Sequence, residues 1–324
     1  MNSDKNHGKE NAGGIPNVVA LIGPTASGKT AISIELAKLF NAEIISCDSR
    51  QIYKLMDIGT AKPSTEEMQG IRHHLIDIIY PDSSFSYADF ASCAAPIIKE
   101  ILGRGKVPFI VGGTGFYLDG LVNGVSAIPE VGENKLKNLR EELELLETAK
   151  LVSMLNKLDP ESAARIKFND RQRLVRAISV SELTGRPFSS FKDKKIINNN
   201  YNYLIIGLTK ARELLYNSIN LRVEVMFKNG LLNEVESLLN SGYGELAPGM
   251  KTIGYQECVE FFYGRKTKDE AMAMVKQNTR NYAKRQETYF KRFKIDNWFN
   301  KDENKSNDKK IFERMARLIE NHIK

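Results

Sequence analysis

Three cysteines in 324 residues, Cys47, Cys93 and Cys258, stand far apart with no C-x-x-C pair among them. This excludes a disulfide framework and a cysteine zinc site as expectations, and points to a reducing compartment. No apolar run approaches the roughly 18 residues that a membrane helix needs, and no signal-peptide pattern opens the chain. The expectation is a soluble, cytoplasmic protein with no membrane partner. Histidine is scarce, with four in all. His73 and His74 are adjacent, and neighbours on a strand point to opposite sides, so they do not share a metal. No internal repeat is present, so the chain is not an array of repeated units. Residues 1–16 are polar and glycine-containing and are expected to be disordered.

With 42% apolar residues the remainder can bury a core, in one large domain or two ordinary ones. The formal net charge is +7 and is unevenly spread. Lys276, Arg280, Lys284, Arg285, Lys291, Arg292 and Lys294 fall within nineteen residues against Glu287 alone, so six of the seven net charges lie there. Such focusing fits a polyanionic partner, and equally a solvated helix face.

The densest signal is Gly23-Pro24-Thr25-Ala26-Ser27-Gly28-Lys29-Thr30, which matches the phosphate-loop pattern G-x-x-x-x-G-K-[ST]. Before it, residues 17–22 (NVVALI) form a short buried strand; after it, residues 30–40 (TAISIELAKLF) have helical periodicity. Backbone amides and a helix end then converge on one point, which calls for a phosphate or diphosphate. Lys29 would neutralise its charge, and the Thr30 hydroxyl would ligate Mg²⁺.

The strand–helix alternation continues. Residues 42–47 (AEIISC) read as a second buried strand, ending at Asp48-Ser49-Arg50-Gln51. Ligands of open parallel sheets sit at the strands' carboxyl ends. Asp48 can therefore face the crevice as a metal-water ligand or general base, or simply cap a helix. Residues 107–111 (VPFIV) run into Gly112-Gly113-Thr114-Gly115, a second glycine-rich turn where Thr114 can donate to a phosphate or leaving oxygen. Past Pro129 the pattern becomes helical. Residues 135–156 are charged with periodic leucines, Asp159-Pro160 opens a helix, and Asp170 opens another over residues 171–183, ended by Gly185. Gln172, Arg173, Leu174, Val175 and Arg176 lie on the last of these. Residues 203–208 (YLIIGL) restore a strand, and the next helical stretch carries Arg222, placed to act as a lid arginine or as an ion-paired surface residue. On the basic helix, Lys276, Arg280, Lys284 and Lys291 mark one face, and Tyr282, Gln286, Tyr289 and Phe293 an aromatic face that reads as core contact.

The expected fold class is α/β: a P-loop NTPase-like parallel sheet flanked by helices, with an inserted all-helical subdomain. The expected division is a core over 17–125 and 199–300, the insert over 126–198, and a charged linker with closing helix over 301–324.

As a set, GPTASGKT (23–30), DSRQIYK (48–54), DIGTAKP (57–63), HHLID (73–77), FSYADF (85–90), VGGTGFY (111–117), RQRLVRA (171–177), IGYQE (253–257) and TRNYAKRQ (279–286) resemble the tRNA dimethylallyltransferases, also called tRNA isopentenyltransferases. The resemblance implies transfer of a dimethylallyl group from dimethylallyl diphosphate to N6 of adenosine 37, beside the anticodon, in tRNAs reading codons that begin with U. It implies that Asp48 is the base for the N6 proton, that Thr114 and Arg222 contact the diphosphate, and that Thr30 helps bind Mg²⁺. It implies tRNA anticodon stem-loop contacts by Asp48, Ser49, Arg50 and Gln51; by Gln172, Arg173, Leu174, Val175 and Arg176; by Lys251, Thr252, Ile253, Gly254, Tyr255 and Gln256; and by Lys284, Arg285, Gln286 and Lys291. Lys251 stands where bacterial relatives often have arginine, so a single ammonium replaces a bidentate guanidinium. The zinc finger of eukaryotic members has no counterpart in the Cys/His pattern here. The protein is expected to act as a monomer.

Two other functions share parts of this pattern. An ATP-dependent small-molecule kinase accounts for the phosphate loop and a lid arginine but not for the insert or the basic helix. A non-catalytic, nucleotide-gated RNA-binding protein accounts for the charge but predicts no product.

Overall fold

The computed structural model describes residues 14–129, 131–192, 195–196, 201–293, 295, 297–302 and 305–324. Residues 1–13 of the expected N-terminal tail lie outside the described residues, as do 294 in the basic run and 303–304 in the expected linker. The chain divides into two compact units, Met1–Val122 with Asn198–Lys324, and Asn123–Ile197.

The strands in chain order are β1 (Asn17–Ile22), β2 (Ala42–Cys47), β3 (His73–His74), β4 (Val107–Gly112), β5 (Val125–Ser126), β6 (Lys195–Ile196), β7 (Asn202–Lys210) and β8 (Asn297–Lys301). The helices are α1 (Lys29–Leu39), α2 (Thr65–Met68), α3 (Tyr87–Gly103), α4 (Gly115–Asn123), α5 (Glu133–Glu144), α6 (Thr148–Leu158), α7 (Pro160–Arg165), α8 (Arg171–Thr184), α9 (Arg212–Lys228), α10 (Leu231–Asn240), α11 (Tyr255–Phe262), α12 (Lys268–Phe290) and α13 (Lys305–Ile323).

The first unit is built on a six-stranded sheet in the order β3-β2-β4-β1-β7-β8, parallel throughout. Every residue of β2 and all but Asn17 of β1 are buried, as a parallel sheet covered on both faces requires. On one face α1 and α13 bury Ile34, Leu36, Met315 and Ile319 against Val19, Leu21, Ile44 and Phe299. A second cluster joins α9 to α12 around Val223, Phe227, Leu231, Tyr255 and Val275, with Ile52 and Met56 from the segment after β2.

Register sets the functional edge. Ile22 pairs with Gly112, and Gly112 with Cys47. β1, β4 and β2 therefore end level, and their three outgoing loops leave the sheet side by side. Glycine permits the approach: a Cβ on Gly112 would stand 2.0 Å from the Cys47 carbonyl oxygen, and one on Gly23 2.0 Å from that of Leu208.

The second unit packs α5 to α8 around Leu143, Leu151, Leu155, Leu174 and Ile178. Asp159 caps α7, with Pro160 in its first turn, and Asp170 caps α8 by accepting from Arg173 N. The unit is not wholly helical: β5 and β6 pair as a two-residue antiparallel ribbon, Val125 with Ile196 and Ser126 with Lys195.

Two further expectations are corrected. The charged helical stretch over 135–156 is broken, because α5 stops at Glu144 and α6 restarts at Thr148. Where a charged linker was expected from residue 301, Lys301 closes β8, an edge strand paired with β7, and α13 begins at Lys305. The partner of Trp298 in that pairing is Gly207, where a Cβ would overlap the indole at 2.4 Å. The glycine in the YLIIGL strand is thus the space that the last strand fills.

Candidate active site

The phosphate loop lies between β1 and α1. Pro24, Ala26 and Ser27 are buried, while Thr30 is exposed at the start of the helix. Gly28 takes a left-handed φ of 94°, and no side chain caps α1, so the first-turn amides are left to a ligand. Lys29 Nζ donates to the carbonyl oxygens of Gly23 at 2.8 Å and Pro24 at 2.7 Å. Burial pushes its ammonium down to about 7; the Asp48 charge opposes this and the Arg222 charge adds to it.

Asp48 begins the loop after β2. Its Oδ1 accepts from Arg50 N at 2.9 Å, closing an Asx turn. Four further hydrogen bonds and one ring contact hold that turn. Ser49 N donates to Thr114 Oγ1 at 3.0 Å, and Thr114 Oγ1 donates to Ser49 Oγ at 3.3 Å. Gln51 accepts from Ser46 Oγ at 3.1 Å and donates to the Ala61 carbonyl at 3.2 Å. The Arg50 guanidinium lies over the Tyr282 ring of α12, 4.3 Å from its centroid. Thr114 thus joins the turn after β4 to the turn after β2, alongside Asp48.

Arg222 comes from α9, with Nη1 3.5 Å from Thr25 Oγ1. Burial pushes its guanidinium below the ordinary range, and the charges of Asp48 and Glu67 oppose the drop. Gln286 of α12 accepts from Thr25 N at 2.9 Å and donates to the Gly113 carbonyl at 2.8 Å. Lys29, Thr30, Asp48, Gly113, Arg222 and Gln286 line one crevice of about 360 Å³, together with Gln51, Thr60, Ala61 and Pro63. Among the described residues no group of three or more His, Cys, Asp or Glu gathers to hold a metal. Thr30 and Asp48 do put oxygen donors in this crevice. So sparse a set suits Mg²⁺, which keeps several waters and takes substrate phosphate oxygens.

The other sequence-predicted residues divide by burial. Gln172, Arg173, Lys251, Gln256, Lys284, Arg285 and Lys291 are exposed; Ser49, Arg50, Gln51, Arg176, Thr252 and Ile253 are half-buried. Leu174, Val175, Gly254, Tyr255 and Gln286 are buried. Leu174 and Val175 belong to the core of the second unit, and Tyr255 to the α9–α12 cluster, where its hydroxyl donates to Glu234 Oε1. Their side chains face inward, and on those helices the exposed side chains are those of their neighbours. In the second unit, burial and the nearby Arg176 charge hold the Arg140 guanidinium below its ordinary range. A polyanion would relieve that crowding.

One residue that orders the site, Glu234, lies in none of the stretches that carry the resemblance. Glu234 accepts from the amides of Asp57, Ile58 and Gly59, and Lys62 donates to the Tyr53 carbonyl and pairs with Asp57 and Asp77. Together they fix the segment that supplies Thr60, Ala61 and Pro63 to the crevice. The partners of Glu234 lie up to 177 positions away, beyond any short motif.

The family described as "IPP transferase" matches residues 51–293, and "Isopentenyl transferase" matches residues 16–80. The chain belongs to the IPP transferase family. Among similar proteins, a tRNA dimethylallyltransferase from Acetivibrio thermocellus is 43% identical over 91% of this chain and 95% of its own length. One from Staphylococcus epidermidis is 46% identical over 89% of this chain and 87% of its own. A solved tRNA isopentenylpyrophosphate transferase from Staphylococcus epidermidis covers 94% of this chain and 99% of its own at 44% identity, with a TM-score of 0.67. A eukaryotic dimethylallyltransferase acting on tRNA covers 95% of this chain and 80% of its own at 26% identity, with a TM-score of 0.79. Membership resolves the choice that the phosphate loop alone left open: this family member groups with prenyl transferases, not with ATP-dependent kinases. Among the described residues no helix is long and apolar enough to cross a membrane.

Proposed function

We propose that this chain transfers the dimethylallyl group of dimethylallyl diphosphate to N6 of the adenosine next to the anticodon on its 3′ side, in tRNAs reading codons that begin with U. Diphosphate is released. The protein works in the cytoplasm as a monomer. The observation that carries this reading is the meeting of Lys29, Asp48 and Arg222 in one crevice at the level ends of three parallel strands.

The diphosphate fits the amides after Gly28 and the ammonium of Lys29. There it acts as a leaving group, while the allylic C1–O bond breaks and the electron pair departs with oxygen. Lys29 and Arg222 stand where that charge grows, and fixed cations in a crevice need no reorganisation as it does. Thr30 would hold Mg²⁺, which supplies further charge neutralisation on the diphosphate when bound. N6 supplies the new bond to C1 and loses a proton. The Asp48 carboxylate, held by the Arg50 amide, takes it. Thr114 keeps the Asp48 turn in place through Ser49.

The adenine must leave its stack to enter such a crevice, and loop nucleotides resist this least. The exposed Lys284, Arg285 and Lys291 of the α12 region, Lys251 and Gln256, and Gln172, Arg173 and Arg176 of the second unit bind the anticodon stem-loop backbone. Incubation with labelled dimethylallyl diphosphate and unmodified tRNA tests the proposal. Label in the RNA, mapped to that adenosine, is expected. ATP turnover or tRNA binding without label would refute it.

A further inference from the structure

We infer that Gln286 is a positioning residue of the transfer reaction: it sets the spacing of the two loops that receive the diphosphate, and is not a contact for RNA. The inference deepens the proposed function and rests on it.

The side chain is 5% exposed, although it sits within the basic run of residues 276–294. It spends both ends of its amide within the site. Oε1 accepts from Thr25 N in the phosphate loop at 2.9 Å, and Nε2 donates to the Gly113 carbonyl in the turn after β4 at 2.8 Å. The two bonds fix which end is which, since the flipped amide would set N–H against N–H and oxygen against oxygen. The loops it joins are in close contact: a Cβ on Gly113 would lie 3.4 Å from the Gly23 carbonyl oxygen and 2.3 Å from Gln286 Nε2. Gly113 thus leaves the space that Gln286 occupies. One helical turn earlier, Tyr282 of α12 receives the Arg50 guanidinium of the Asp48 turn. The same helix therefore anchors the loop that holds the leaving group and the loop that holds the base. A shift of about 1 Å between such groups can cost a factor of roughly 100 in rate, and a side chain bonded to both loops is what prevents it.

Two variants test this. Gln286→Leu removes both bonds. Gly113→Ala keeps the glutamine but drives its flexible end out of place. For each, kcat and KM for dimethylallyl diphosphate, the Kd for inorganic pyrophosphate by calorimetry, the Kd for tRNA, and the melting temperature are measured. The expected result is kcat lower by roughly 100-fold, weaker pyrophosphate binding, and unchanged tRNA affinity at a temperature where both variants are folded. The double variant should lose little more than either single one, because the two act on one tie. Loss of tRNA affinity with kcat and pyrophosphate binding at wild-type level would overturn the inference, and so would a lower melting temperature with neither parameter changed. The pyrophosphate titration reads the brace even if the wild-type protein prenylates no RNA, so failure of the proposed function is distinguishable from failure of this inference.

Discussion

Lys29 makes a quantitative prediction about pH. Its ammonium titrates near 7 in the folded protein against 10.5 ordinarily, chiefly through burial. That gap corresponds to roughly 5 kcal/mol that the fold sets against the charged form. Between pH 7 and 10.5 the native protein binds fewer protons than the unfolded chain, so this group makes stability rise with pH across that window. A polyanion in the loop reverses the balance. It favours the ammonium and raises its titration point, so binding above pH 7 must draw in a proton. If Lys29 is fully protonated in the complex, uptake from this group is about 0.9 proton at pH 8 and about 0.1 at pH 6. On the same account pyrophosphate affinity falls roughly 50-fold between pH 7 and pH 9. The assay is calorimetric titration with pyrophosphate in buffers of different ionisation enthalpy, which separates protein protonation from heat of binding. Pyrophosphate titrates too, so Lys29→Arg serves as the baseline: guanidinium stays charged throughout. The excess uptake of wild type over this variant at pH 8 should approach one proton. Equal uptake in both proteins would show that Lys29 is already charged in the unliganded site, and would refute the burial argument.

Three other outcomes are expected. Asp48→Asn keeps the Asx-turn acceptor, so tRNA affinity should hold while single-turnover transfer drops at least ~100-fold; undiminished transfer would remove Asp48 from the role of base. Lys284→Glu with Arg285→Glu should weaken tRNA binding and flatten the plot of log Kd against log salt, measured by fluorescence titration; an unaltered slope would separate this face of α12 from RNA. Gly59→Ala would bring a Cβ within 2.4 Å of the fully buried Tyr255 ring and 2.9 Å of Leu231. Overpacking of this kind costs about 1–3 kcal/mol, visible in urea unfolding as a lower midpoint.

How much of the fold and site is legible in the sequence depends on sequence distance. The phosphate loop is local: strand, turn and helix occupy adjacent segments, and the parallel sheet is implied by apolar runs that alternate with helical periods. Asp48 and Thr114 can be placed at one edge because both come directly after buried runs. That edge becomes a level line only through the pairing of Ile22, Gly112 and Cys47, which no single segment encodes. β8 escapes a reading of the sequence because Lys, Asp, Glu and Asn dominate the residues around its end. Its signal is Phe299 within it and the space at Gly207, the partner of Trp298 91 positions earlier.

Gln286 shows where two kinds of sequence inference disagree. Membership of the stretch TRNYAKRQ assigns it to RNA along with Lys284 and Arg285. Helical periodicity assigns it to the face of Tyr282, Tyr289 and Phe293, turned to the core. At 100° per residue, side chains one and two positions apart cannot share a face, so both assignments cannot hold for the side chain. The structure sides with periodicity: Ala283, Gln286 and Phe290 are buried while Lys284, Arg285 and Lys291 are exposed. Leu174 and Val175 between Arg173 and Arg176, and Tyr255 beside Gln256, repeat the same division. A motif marks a stretch that the reaction needs, and within the stretch the helical period separates the side chains that can reach a partner from those that hold the site. On α12 the separation has a mechanistic consequence. On the function proposed here, the outward residues meet the RNA backbone while the inward one, a residue or two away, fixes the diphosphate loop, so that a single rigid helix would tie the grip on one substrate to the geometry offered to the other.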